Sequence, residues 1–219
     1  VFAAIFFYWQ LFSDSGVERS AREKWSAFTA FTVPCLVVGI ALLAYNVVRF
    51  GHPLEFGHTY LAGGTIPRIR DFGLFHFDFL NRNLTAAFTL TPRLTDTAPY
   101  VQFSKHGMSI FLSTPALLWL FRGRRTTALN RPIWLTVTAI SIPLVLYQNT
   151  GWEQFGYRFV LDVLPYLVML LAMGGWAIGR WFKAAILVGV LINMIGAGTF
   201  QRAGPKGLYG NFLADEPRR

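Results

Sequence analysis

AFTAFTVPCLVVGIALLAYNVV (27–48) is the stretch that decides the fold. It carries no charge. It is also long enough, at about 1.5 Å of helix per residue, to cross the roughly 30 Å hydrocarbon core of a bilayer. Working outward, the apolar residues continue to fall in blocks rather than in amphipathic stripes. Hydrophobic residues are 53% of the chain and charged residues only 14%, whereas a soluble domain has roughly 25% charged. Mean hydropathy is +0.41. The expected fold class is all-α: a polytopic transmembrane helix bundle with about five complete spans, one truncated N-terminal span and a long extracytoplasmic loop.

The expected bundle covers 1–200. VFAAIFFYWQLF (1–12) is apolar but too short to span, and it has neither the charged start nor the small-residue cleavage site of a signal peptide. It reads as the tail of a span that begins upstream. Further spans are expected at 27–48, 105–121, 132–150, 159–179 and 184–200. The outer loop is 49–104, and 201–219 is a polar extracytoplasmic tail. Pro34, Pro115, Pro143 and Pro165 sit in or near these blocks, where neighbouring helices can satisfy the carbonyls a proline frees.

The net charge of +9 does not point to nucleic acid, because the basic residues lie in the gaps between apolar blocks. Gaps 13–26, 122–131 and 180–183 hold nine Lys/Arg in 28 residues, and 49–106, 150–158 and 201–219 hold eleven in 86. That is about a 2.5-fold difference in density, and by the positive-inside rule the first set is cytoplasmic. The long loop and GWEQFGYR (151–158) then share the outer face. The single cysteine, Cys35, allows no disulfide within the chain.

Arg158 and Asp162 are spaced to pair on one helix face, and a carboxylate within a span is a functional candidate. GWEQFGYR adds Glu153, Tyr157 and Arg158, and a guanidinium at the lipid boundary suits a phosphate. An ordinary interfacial belt of Trp and Tyr with a snorkelling Arg fits the same residues. RFGHPLEFGHTY (49–60) supplies Arg49, His52, Glu55 and His58. Pro53 and the flanking glycines interrupt metal-ligand spacing, so no metal site is expected there, and Glu55 is either an acid/base or a turn residue. Lys105 and His106 are either a second anion contact or a membrane anchor. DFGLFHFDFLNRNLTAAFTL (71–90) suits either an interfacial helix or a loop packed on the bundle. It contains the glycosylation sequon Asn83-Leu84-Thr85.

AYNVVRFGHPLEFGHTY (44–60), HGMSIFLSTPALLW (106–119) and YQNTGWEQFGYRFVLDVLPYLVMLLA (147–172) occur in that order, each at a span boundary. Together they resemble the C-terminal half of bacterial polytopic membrane glycosyltransferases of the C-type fold, the dolichyl-phosphate-mannose–protein mannosyltransferase-like group. The resemblance implies an inverting transferase of the bacterial inner membrane and cell envelope. It would move a sugar from a polyprenyl-phosphate donor to an acceptor on the outer face. It also implies that the catalytic acid lies in a loop of the missing N-terminal half, so no residue here is assigned as catalytic. The substrate-contact candidates are Arg158, Tyr157, Glu153, Asp162, Glu55, Arg49, Lys105 and His106. Arg158 or a divalent cation would stabilise the leaving phosphate. The expected partners are the lipid-linked sugar donor, membrane lipids and that N-terminal half. A non-catalytic relative on the same scaffold and a lipid-linked precursor transporter are the competing readings.

Overall fold

The computed structural model describes residues 4–13, 19–60, 65–122, 127–202 and 206–213. The chain divides into two units, Val1–Leu74 and Phe75–Arg219.

In the first unit, α1 (Ala4–Phe12) lies against α2 (Ala21–Phe50). The ring of Phe7 stacks on Phe31 at 4.3 Å, and the hydroxyls of Tyr8 and Thr32 are 2.8 Å apart. A capping box starts α2. The Ser20 hydroxyl accepts from the Glu23 N–H, and the Ser20 N–H donates to the Glu23 carboxylate. Its end is set by Gly51 in the left-handed conformation, φ +74°, whose N–H returns to Val47 O. Asn46 is buried and donates to Pro53 O at 3.0 Å, which fixes the turn after the helix. A 3₁₀ turn at His58–Tyr60 and α3 (Thr65–Phe72) complete the unit.

The second unit opens with a 3₁₀ turn at Phe77–Phe79, α4 (Leu80–Leu84) and a π turn at Thr85–Thr89. Two strands follow, β1 (Arg93–Leu94) and β2 (Val101–Ser104). Next come α5 (Ile110–Ser113), a 3₁₀ segment at Pro115–Arg122, and α6 (Asn130–Leu146). A 3₁₀ turn at Arg158–Asp162, α7 (Leu164–Ala172), α8 (Arg180–Thr199) and β3 (Tyr209–Gly210) end it. The core gathers around α6, where Ile133 and Val137 are buried with Leu117, Val163 and Leu167. Asn83 is fully buried and donates to Val145 O and Tyr147 O at the end of α6. The sequon asparagine is therefore a packing residue, and the 77–84 part of that segment packs on α6. Phe75 and Phe77 of that segment remain exposed.

Two expectations are corrected. The first is the all-α class. The chain is mostly helical but carries a small sheet of order β1-β2-β3, with β1 antiparallel to β2 (Arg93↔Gln102) and β3 parallel to β2 (Phe103↔Tyr209). Part of the expected polar tail is thus a strand. The second is the count of about five complete spans. Two helices among the described residues are long and apolar enough to cross a membrane: an 18-residue window has mean hydropathy 2.2 in α2 and 1.7 in α8.

The other blocks are broken by backbone chemistry. In 105–121, Ser109 caps α5, which ends at Ser113. Pro115 then opens a separate 3₁₀ segment. In 159–179 the first turn is 3₁₀, Pro165 sits at the start of α7, and helix ceases at Ala172 before Gly174 and Gly175. In 132–150, α6 stops at Leu146 because Tyr147 is extended, leaving 17 helical residues where about 20 are needed. The expected partial span 1–12 contains α1, and residues 1–3 lie outside the described residues, as do parts of the basic gaps 13–26 and 122–131.

Candidate functional site

Gln154 organises the region that sequence reading singled out. It is 4% exposed. Its side-chain amide donates to His106 O at 2.6 Å and Thr150 O at 2.7 Å, and its Oε1 accepts from the Arg158 N–H at 3.0 Å. Its own N–H donates to Lys105 O at 3.0 Å. One side chain thereby ties residues 105–106 to the start of the 3₁₀ turn that carries Arg158. The loop can close this tightly because residue 151 is glycine: φ is +90°, and a Cβ there would sit 2.5 Å from Gln154 Oε1.

His106 is buried, with both ring nitrogens engaged. Nδ1 is 2.7 Å from Thr150 Oγ1 and Nε2 is 3.1 Å from Asn211 Oδ1, while Trp152 packs edge-on at 4.9 Å. Its position holds chain segments together and leaves neither nitrogen for an anion. Lys105 is partly exposed. Its ammonium is 3.0 Å from Glu153 Oε1 and 5.7 Å from the Trp152 ring centre. Ser104 Oγ donates to Phe212 O, and Lys105 N–H donates to Gly210 O, so the strand β3 region clasps the same turn.

Arg158 is exposed, with its guanidinium 5.7 Å from the Phe159 ring centre. Among the described residues, Arg158 and Asp162 form no ion pair with each other. The reason is the helix type: this turn is 3₁₀, with 3.0 residues per turn, so residues four apart point about 120° apart instead of sharing a face.

Glu153, Tyr157 and Arg158 line a cavity of about 710 Å³ with Ser113, Asn193 and Arg202. Leu161, Leu164, Ala197 and Phe200 supply its apolar wall. Asn193 is held by its own bonds to Ser113 O and Gly189 O. Tyr157 is 6% exposed, and burial pushes its hydroxyl up to about 12. The structure thus brings Lys105, His106, Glu153, Tyr157 and Arg158 into one region of the second unit, with Asp162 at the end of the same turn.

Arg49 and Glu55 belong to the first unit. Arg49 donates to Tyr45 Oη at 3.2 Å and lies over the Phe50 ring at 5.0 Å. Glu55 accepts from the Thr59 hydroxyl at 2.8 Å and its N–H at 3.4 Å. Burial acts to raise its pKa. The Thr59, Gly57 and His58 hydrogen bonds outweigh that and hold the carboxyl below its ordinary value. This is a turn-fixing geometry.

No family model matches the chain, and neither a curated protein nor a solved structure matches it.

Sequence reasoning missed Arg202 and Asn211, which lie in the supposed polar tail, and Asn193 within α8. An asparagine in an otherwise apolar span is a readable signal, since it needs a partner in hydrocarbon. Nothing local marks Asn211. Its role depends on strand pairing over a long sequence separation.

Proposed function

We propose that this chain is the supporting part of an integral membrane glycosyltransferase of the bacterial inner membrane. It would act on the extracytoplasmic face with a polyprenyl-phosphate sugar donor. The observation that carries the reading is the 710 Å³ cavity. Two guanidinium-bearing residues, Arg158 and Arg202, and Glu153 line it together with apolar residues. That mixture suits an amphiphile with an anionic head. The order of the three boundary motifs supports the family, and the basic turn 180–183 supports a cytoplasmic start for α8, whose far end lines the cavity.

In the proposed reaction a carboxylate from outside these residues takes the proton of an acceptor hydroxyl. The hydroxyl oxygen attacks the anomeric carbon as the bond to the lipid-phosphate oxygen breaks. The phosphate leaves with an added negative charge, and Arg158 stabilises that charge. Glu153 and Tyr157 shape the cavity around the sugar.

The test is Arg158→Ala in the full-length protein, reconstituted with a polyprenyl-phosphate sugar. Loss of a charge-assisted contact of about 1.5–3 kcal/mol predicts roughly a 10- to 150-fold fall in transfer at unchanged membrane insertion. Unchanged transfer would reject the assignment.

A further inference from the structure

The left-handed region of backbone space is unfavourable for a residue with a Cβ. Among the described residues three non-glycine residues have positive φ, and two of them touch each other. They are Glu153, φ +58°, in the loop that carries Arg158, and Gln201, φ +51°, just past the end of α8. Gln201 Nε2 donates to Glu153 Oε2 at 3.4 Å, and the Lys105 ammonium lies 3.0 Å from Glu153 Oε1. Strained backbone at a candidate site points to a role there. Here its effect is electrostatic. Glu153 is the one acidic residue on the lining of the 710 Å³ cavity, and its two oxygens are engaged by Lys105 and Gln201. Arg158 and Arg202 line the same cavity, and among the described residues neither forms an ion pair. With Lys105 offset by Glu153, the two guanidinium charges remain uncompensated.

We propose that this cavity selects a phosphate monoester dianion with one apolar tail over the monoanionic diester of the same alcohol. Charge makes the choice. A diester presents one negative charge. A monoester presents two above its second ionisation, at about pH 6, and so matches both guanidinium groups. Leu161, Leu164, Ala197 and Phe200 supply apolar surface for the tail. The inference rests on the glycosyl-transfer reading of this cavity and extends it to regulation. The sugar-bearing carrier of that reaction is the diester, and the spent carrier is the monoester. The spent carrier is then held more tightly than fresh donor and competes with it for the site.

Farnesyl phosphate, methyl farnesyl phosphate and inorganic phosphate would each be titrated by calorimetry into the purified full-length protein, in uncharged detergent at about pH 8, where the monoester is a dianion. One added unit charge about 4 Å from a cation is worth roughly fivefold in affinity even in a water-like medium. With two cations and screening by salt, wild type is expected to bind the monoester about tenfold more tightly than its methyl diester. Arg158→Gln and Arg202→Gln are each expected to cut that preference to about threefold, and Glu153→Gln to leave it at least as large. Inorganic phosphate, which has the charge but no tail, should bind at least about tenfold more weakly than the monoester. The proposal is overturned if the two esters bind equally, if Arg202→Gln keeps the full preference, if Glu153→Gln lowers it, or if inorganic phosphate binds as tightly as the monoester. Equal binding of the esters that Arg158→Gln still weakens would sink the selectivity alone and leave the donor reading standing. Binding of neither ester would remove both.

Discussion

Replacing Gln154 by alanine removes three hydrogen bonds from one buried side chain: its donations to His106 O and Thr150 O, and its acceptance from the Arg158 N–H. Each such bond contributes about 1 kcal/mol net, and more where the abandoned partner stays dry. At 4% exposure the site admits little water, so the summed loss is roughly 3 kcal/mol. For a chain of this length that lowers the melting temperature by about 6–12 °C. The assay is thermal unfolding of the purified full chain followed by tryptophan fluorescence, since Trp152 sits against the network. Glu153→Ala is the control one residue away. Its carboxylate is partly exposed, so it should cost no more than about 1 kcal/mol. If Gln154→Ala melts within 1 °C of wild type, the reasoning that this amide holds residues 105–106 to the Arg158 turn fails.

Other outcomes follow from single contacts. A Cβ at Gly196 would lie 2.3 Å from the Phe155 ring. Gly196→Ala should therefore destabilise by about 1–3 kcal/mol, and Phe155→Leu in the same chain should recover part of that loss. A double-mutant cycle on Lys105 and Glu153 should give a coupling below about 1 kcal/mol, falling with added salt. Glu55 has a folded pKa below its unfolded value. Its stabilising contribution is present above the unfolded value and fades as pH falls through the folded one. Carboxyl NMR titration should show that depression, and Thr59→Val should move the pKa back up.

How far the sequence could be read depends on which physics each feature obeys. Helices α2 and α8 were legible because their apolar runs are uninterrupted, and α2 also carries Ser20, Glu23 and Gly51 at its ends. The block at 105–121 misled because hydropathy sums side chains and is blind to the backbone. Lys105 belongs to a sheet connection, and Ser109 and Pro115 reset the helix within a few residues. The run 158–162 has the composition of a helix, but it winds as 3₁₀, which is why the Arg158–Asp162 pairing does not form. The clustering of Lys105 with the 151–158 loop was visible only as a shared side of the membrane. Gln154, the residue that joins them, looked like one polar residue among several, because its importance comes from burial.

The clasp formed by residues 207–212 has a consequence for biosynthesis. Asn211 is 105 positions downstream of the histidine it contacts. At ribosomal speeds of about 5–20 residues per second, that imidazole waits roughly 5–20 seconds for its amide neighbour. During that interval β2 has one edge uncovered and Ser104 has no carbonyl to meet. Until translation has passed Leu213, this turn of a newly made chain therefore lacks the contacts that the late-made segment supplies.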